Sequence, residues 1–229
     1  MLMKKLMMIA AMMVATVTAN AQFEPGTFSI QPKLGGVAAW LSNMPNLPVS
    51  TNTTLDKTPV AGFVIGAEAE YQLTNMISLA AGVNYSLQGS AWEDYEMKAG
   101  SNKLELKDAK VELGYVTIPV VANFYLFKGF AVKAGIQPGF LTNAKTKATI
   151  KGEMEGYNIS SDIDEDMKDN CKKFDLSIPM GVSYQFKVPV TVDLRYNLGV
   201  TKVNKESVSG EKDCKNNVVQ LTVGYKFAL

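Results

Sequence analysis

Apolar residues recur at every second position in eight separate stretches of the chain, the period of a strand with one greasy and one polar face. The first, near residues 27–41, puts Phe28, Ile30, Leu34, Ala38 and Trp40 on the apolar face. The second sets Ala61, Phe63, Ile65, Ala67, Ala69, Tyr71 and Leu73 against Gly62, Gly66, Glu68 and Glu70. The third alternates Ile77, Leu79, Ala81, Val83, Tyr85 and Leu87 with Ser78, Gly82, Asn84, Ser86 and Gln88. Val116, Ile118, Val120, Ala122, Phe124 and Leu126 mark the fourth, and Phe130, Val132, Ala134, Ile136 and Phe140 the fifth. The sixth carries Phe174, Leu176, Ile178, Met180, Val182, Tyr184 and Phe186. The seventh opposes Val192, Leu194, Tyr196, Leu198 and Val200 to Asp193, Arg195 and Asn197, and the eighth runs from about residue 218 to the end.

The connections differ in length by side. Short ones lie at Thr74-Asn75-Met76, Phe127-Lys128-Gly129 and Lys187-Val188-Pro189; long polar ones span 42–59, 90–112, 142–173 and 201–217. Membrane barrels segregate short periplasmic turns from long outer loops in this way. The pattern therefore predicts an all-β fold over residues 22–229. It is an eight-stranded antiparallel transmembrane β-barrel with short periplasmic turns and long extracellular loops.

Traced up and down, Trp40, Phe63, Tyr85, Phe140, Phe174 and Tyr196 fall near the long-loop end. Phe28, Tyr71, Phe124, Phe130, Phe186 and Phe227 fall near the short-turn end. Two such belts suit aromatic rings at the two lipid–water interfaces. The opposite face is Gly, Ser, Thr, Asn and charge, which suits a narrow lumen better than a solvated exterior. Pro32, Pro119, Pro138 and Pro179 lie inside strands, and a missing ladder donor at each leads us to expect β-bulges there.

The two ends of the chain supply an address. Lys4 and Lys5 precede an apolar run and then Ala19-Asn20-Ala21, the layout of a secretory signal peptide over residues 1–21, cleaved between Ala21 and Gln22. The final residues read polar, x, Gly, x, x, aromatic, x, apolar. In that series Gly224, Tyr225, Phe227 and Leu229 resemble the C-terminal signal by which outer-membrane barrels are recognised for insertion. The expected location is the outer membrane of a Gram-negative bacterium, with the loops extracellular.

Composition narrows the chemistry. A net charge of +1 implies no nucleic-acid partner, and the absence of His removes the usual general base and the commonest metal ligand. Lys33, Glu68, Glu70, Lys133, Asp175, Asp193, Arg195 and Lys226 share the polar face, with balanced signs. Charges in a narrow lumen must pair, which predicts an ion-pair plug; the functional alternative is a narrow selective pore.

Outside the lumen, Asp162, Asp164, Glu165, Asp166 and Asp169 form an acidic run. It fails as a calcium loop at Met167 and Lys173, so it reads as solvated loop, with weak calcium or magnesium binding as the alternative. Cys171 and Cys214 end two outer loops and form a possible disulfide. Lys98, Lys103, Lys107, Lys110, Lys145, Lys147 and Lys151 line loops that should meet lipopolysaccharide. No nucleophile–base pair, phosphate-cradling Gly loop or metal cluster is present, so neither an enzyme nor a cofactor is expected.

Several segments resemble the PorT-like outer-membrane barrel family. They are Gly114-Tyr115-Val116-Thr117-Ile118-Pro119-Val120-Val121, Ala134-Gly135-Ile136-Gln137-Pro138-Gly139-Phe140-Leu141, Phe174-Asp175-Leu176 and Asp193-Leu194-Arg195-Tyr196-Asn197-Leu198-Gly199. The resemblance implies an eight-stranded outer-membrane barrel and tolerance of Ile-Pro within a strand. It implies no single function, since the family's namesake serves protein secretion.

The expected role is a small barrel with a mostly plugged polar lumen, acting through surface loops in envelope structure or partner binding. A secretion accessory and a narrow small-solute channel are the alternatives. Expected partners are outer-membrane lipid and lipopolysaccharide, and the barrel-insertion machinery and periplasmic chaperones during assembly. A protein partner at the loops is open, and the barrel is expected to be monomeric.

Overall fold

A strand with one apolar and one polar face buries only one of them, and which face turns inward decides the solvent the protein was built for. The computed structural model describes residues 24–50, 53–99, 102–154, 157–205 and 213–229; the expected signal peptide and its Ala21–Gln22 junction lie outside these. Apolar side chains point outward. Ile65 is 54% exposed and Leu79, Val120 and Phe63 are exposed with it, while Glu70 and Arg195 are buried. No aqueous surface is built this way, and hydrocarbon solvates it.

The strands are β1 (Phe28–Ser42), β2 (Leu47–Ser50), β3 (Thr53–Leu55), β4 (Lys57–Gln72), β5 (Ile77–Trp92), β6 (Tyr95–Ala99) and β7 (Asn102–Thr117). They continue as β8 (Val120–Phe127), β9 (Phe130–Met154), β10 (Tyr157–Asp166), β11 (Phe174–Gln185), β12 (Val190–Gly199), β13 (Lys215–Tyr225) and β14 (Phe227–Ala228). Eight antiparallel staves follow one another round the barrel as β1, β4, β5, β7 with β8, β9, β11, β12 and β13. The seam closes where β13 and β14 return to β1, from Lys33↔Gly224 and Leu34↔Val223 down to Ile30↔Phe227 and Ser29↔Ala228. Closure leaves no free edge among the staves, which a bilayer requires.

The four in-strand prolines introduce no bulge, contrary to expectation. Pro32↔Ala67, Pro138↔Leu176 and Pro179↔Asn197 stand in ladders of constant register, and β5 keeps one register from β7 to β8 across Pro119. Each proline forfeits a donor but keeps its acceptor: the Pro119 carbonyl takes the Gly82 N–H at 3.0 Å and the Pro138 carbonyl takes the Ile118 N–H at 2.8 Å. Register shifts fall elsewhere, most of them toward the long-connection end, as at Pro59/Val64 and Gly114/Tyr115.

Three of the expected long loops hold strands, 42–59 among them with β2, β3 and the start of β4. Within 90–112 lie β6 and the outer half of β7, and within 142–173 lie the outer half of β9 and β10. Toward their tips, over residues 102–108, 145–153 and 157–166, both faces of these hairpins are largely open to water, so no apolar alternation announces them. Ion pairs and threonines hold them instead: Lys147 on β9 crosses to Glu112 on β7 at 2.7 Å, where Lys110 of the same strand also pairs at 3.1 Å, and Lys145 crosses to Asp164 at 3.0 Å.

The rings gather at two levels. Trp40 stacks on Tyr196, Phe63 meets Tyr85 and Phe140 meets Phe174 toward the outer end. Phe127 stacks on Phe130, Tyr184 meets Phe186 and Tyr225 meets Phe227 toward the short turns.

Candidate functional site

The inward faces of the staves stack into layers along the lumen. Lowest, near the short turns, Lys226 pairs with Glu70 at 2.8 Å. Tyr125 and Ser78 donate to the other Glu70 carboxylate oxygen at 2.6 and 2.7 Å, and Asn123 donates to Ser78 at 2.9 Å. The carboxylate and ammonium thus keep their hydrogen bonds without bulk water, the condition for burying charge.

One turn of the ladder higher, five charges form one cluster. Arg195 forks onto Glu68 through Nη1–Oε1 and Nη2–Oε2 at 2.7 and 2.8 Å, and onto Asp193 through Nε–Oδ1 and Nη2–Oδ2 at 2.8 and 2.9 Å. Lys33 pairs with Glu68, and Lys133 with Asp193. The cluster draws on β1, β4, β9 and β12, so it ties staves across the lumen rather than along one ladder. Arg195 is 1% exposed. A guanidinium has the planar fork that two carboxylates need here; a lysine would make one contact at a time.

Room for these side chains comes from glycines opposite them. Gly82 faces Glu68 in the ladder, Gly181 faces both Arg195 and Lys133, and Lys33 has Gly66 on one side and Gly224 on the other. A Cβ on Gly181 would lie 2.2 Å from the Leu194 carbonyl oxygen, and one on Gly82 would lie 2.5 Å from the Glu68 Cγ.

Asp175 does not join the cluster, correcting the expected eight-membered network. It sits a layer above and accepts from the Thr201 hydroxyl at 2.6 Å. Its neighbours include Tyr115, Gln137 and Asn197, around a residual void of about 10 Å³, room for one water at most. Seven of the eight expected charges are ion-paired, as one group of five and one pair. Of the neutral partners, Ser78 lies on the polar face read from the sequence, while Tyr125 and Asn123 share the polar parity of their strand without having been named there.

Above Asp175 the lumen changes character. Leu41, Val111, Leu113, Leu141 and Val203 turn inward, while Lys110, Glu112 and Lys147 turn outward. This is the reverse of the pattern below and marks where the wall leaves hydrocarbon for water. The outer mouth is an apolar cup of about 620 Å³. Its lining also brings Met44, Trp92, Met167 and both cysteines together.

No bond joins Cys171 to Cys214, so the possible disulfide is not formed in this structure. The Cys171 side chain packs into the apolar cluster, and burial raises its thiol pKa. The Cys214 thiol turns away and donates to the Asn43 carbonyl at 3.4 Å.

Four residues of the acidic run, Asp162, Asp164, Glu165 and Asp166, lie on β10, and Asp169 lies in a short 3-10 turn at Lys168–Asn170. Asp162 accepts from the Thr149 hydroxyl at 2.9 Å, Asp164 pairs with Lys145, and Asp166 accepts the Lys168 N–H at 2.8 Å. An extended strand spreads these carboxylates along its length and cannot wrap them round an ion. Among the described residues no group of three His, Cys, Asp or Glu side chains is placed to hold a metal. The lysines expected to face lipopolysaccharide are largely engaged within the sheet. Lys98 and Lys103 pair with Glu96, Lys103 and Lys107 with Glu105, and Lys110 and Lys147 with Glu112. The two lysines hold Glu105 down at a pKa of about 2.

At the other end of the wall, Gly224 and Tyr225 close β13 and Phe227 pairs with Ile30 on β1. Leu229 donates its N–H to the Phe28 carbonyl at 2.8 Å.

A closed sheet with a lipid-facing exterior and a charge-filled interior defines an outer-membrane β-barrel. The chain belongs to the family described as outer membrane protein beta-barrel domain, whose model matches residues 20–205. Its location is accordingly the outer membrane of a Gram-negative bacterium. No curated protein matches it. Among solved structures it is similar to Ail, the attachment invasion locus protein of Yersinia pestis, at 14% identity over 89% of this chain and 100% of that one, with a TM-score of 0.42. It is likewise similar to Neisserial surface protein A, at 17% identity over 87% of this chain and 97% of that one, with a TM-score of 0.42.

Proposed function

We propose that this is a non-conducting envelope barrel that works at its outer end, through the raised hairpins and mouth, in envelope structure or partner binding. The observation that carries this reading is the Glu68–Arg195–Asp193 brace, which crosses the lumen beneath a further polar layer and an apolar cup. An eight-stranded lumen is about filled by side chains even without such a brace. In this proposal the protein is a monomer, surrounded by lipid and lipopolysaccharide, with no catalytic step and no cofactor. Insertion machinery and periplasmic chaperones handle it during assembly. Planar-bilayer recordings of the purified protein should show a flat baseline. Stable open steps would overturn the proposal in favour of a narrow channel.

A finer placement among PorT-like barrels is supported by the Tyr115-Val116-Thr117-Ile118-Pro119 strand and by Arg195-Tyr196-Asn197-Leu198-Gly199. It carries a role as a secretion accessory. Cross-linking in cells should then capture periplasmic or outer-membrane secretion components, and a captured set holding assembly factors alone would remove it.

A further inference from the structure

We propose that the cup at the barrel's outer mouth is a binding site for a small, neutral, apolar molecule taken from outside. This rests on the reading of the barrel as closed, because a ligand entering the cup then stops there. About 620 Å³ falls within the range of small-molecule sites, which runs from roughly 300 to 1,000 Å³. The floor is Val111 and Leu113, both buried, directly above the polar layer that holds Asp175 and Tyr115. An apolar molecule gains by resting on that floor and would lose by going deeper, where it would displace hydrogen-bonded groups.

The wall specifies a neutral ligand. Trp92 spends its indole N–H on the Pro45 carbonyl at 3.1 Å, so its ring offers area and no donor. Met44 and Met167 supply unbranched, polarizable side chains that adapt to an irregular guest. The charged side chains among the described lining residues are Asp169 and Lys205, one of each sign. The Lys205 ammonium already donates to the Asp169 backbone carbonyl. The two opposite charges leave the lining with no net charge, and no cluster of one sign faces a guest.

The placement of the cup argues for function. A barrel that needed only a sealed mouth would fill this volume with side chains, since interiors are close-packed and voids are destabilising. Here an apolar, roomy mouth stands on a fully braced floor.

The test uses the full chain in lipid nanodiscs with 1-bromonaphthalene as the probe. The sequence has two tryptophans. Trp40 lies in the lipid-facing belt, so Trp40→Phe leaves Trp92 as the only reporter. Expected results are saturable quenching of Trp92, competition by naphthalene, and slowed maleimide labelling of Cys171 in the same samples. Val111→Asp and Met44→Gln should each weaken the probe by about tenfold or more. Both variants are checked for folding by heat-dependent gel migration, and the Cys171 protection in the parent protein stands even if one fails to fold. Quenching that rises linearly to the solubility limit, or persists in a folded Val111→Asp protein, overturns the site. Equal binding of 1-naphthalenesulfonate overturns its neutral specificity. A lipid tail retained through washing, with no probe uptake, overturns the outside source. Conductance is recorded on the same preparations, so open steps would remove the closed-barrel reading while leaving saturable uptake to be judged on its own.

Discussion

Glu68 on β4 and Arg195 on β12 meet through two parallel hydrogen bonds of 2.7 and 2.8 Å, although 127 residues and three stave positions separate them. The contact is a cross-brace: it fixes the distance between walls that share no ladder. Its members differ in what they leave behind when removed. Without Glu68, Lys33 loses its carboxylate partner, while Arg195 keeps Asp193. Without Glu70, Lys226 retains the Tyr125 hydroxyl at 3.2 Å and the Gln185 amide oxygen at 3.5 Å.

Glu68→Gln should therefore destabilise more than Glu70→Gln. We expect about 3–5 kcal/mol for the first, the cost of stranding a buried charge. The second should cost about 1–3 kcal/mol, since neutral partners remain. Urea unfolding of the two variants in lipid vesicles measures both, and equal costs would show that the lumen solvates Lys33 by other means.

The same Gly→Ala change should have opposite outcomes at two positions. At Gly181 the added Cβ meets the Leu194 carbonyl oxygen at 2.2 Å and the Arg195 Cγ at 3.1 Å. At Gly36 the nearest atom outside its own chain neighbours is the Gly62 carbonyl oxygen at 3.9 Å. Gly181→Ala should lose about 1–3 kcal/mol through overpacking, and Gly36→Ala should be neutral or slightly stabilising. Midpoints of thermal conversion on gels rank the two against the parent.

Both cysteines should titrate as thiols in unreduced protein, with Cys214 modified several-fold faster than Cys171. Burial raises the Cys171 pKa and so lowers its thiolate fraction. Mass-resolved maleimide labelling between pH 7 and 9 measures both rates. A single unreactive, oxidised pair would restore the disulfide.

The hairpin β6–β7 should loosen in acid. Hydrogen bonds from Lys103 and Lys107 depress the Glu105 pKa from the ordinary 4.5 to about 2. A carboxylate with a depressed folded-state pKa stabilises fully above its unfolded value. It loses that contribution as pH falls from about 4.5 through 2. Amide protection factors at residues 103–107, corrected for the intrinsic exchange rate, should fall as pH drops through that window and stay level between pH 5 and 8. Glu105→Gln should abolish the dependence.

How legible all this was depends on which solvent each side chain meets. Along the staves the lipid and the lumen impose opposite demands on alternate residues, so Ile65 against Glu68 or Leu194 against Arg195 can be read from the chain. Toward the tips of the outer hairpins, both faces of β6, β10 and the ends of β7 and β9 they pair with are largely open to water. Lys103, Glu105, Lys107 and Thr149 then show no contrast in hydropathy, and strands looked like loops. The cup was hidden for a related reason: Leu113 has the parity of Tyr115 and Thr117, but its apolar character looked out of place on a polar face until the wall rose clear of lipid. Partner choice within the plug was also hidden. Asp175 and Asp193 look alike in sequence, and only the height of each on its stave decides which one finds a cation.

The seam has a consequence for how the molecule comes into being. Lys33 and Gly224 are ladder neighbours at opposite ends of a long ribbon, so the earliest-made stave must wait for the latest before its outer edge finds a mate. Until then every incomplete form exposes an oily stripe and a row of unanswered amides to the aqueous space it crosses. Local hairpins zip quickly, but the last union spans nearly the whole ribbon and comes late. Such a chain has no comfortable stopping point between threading and completion.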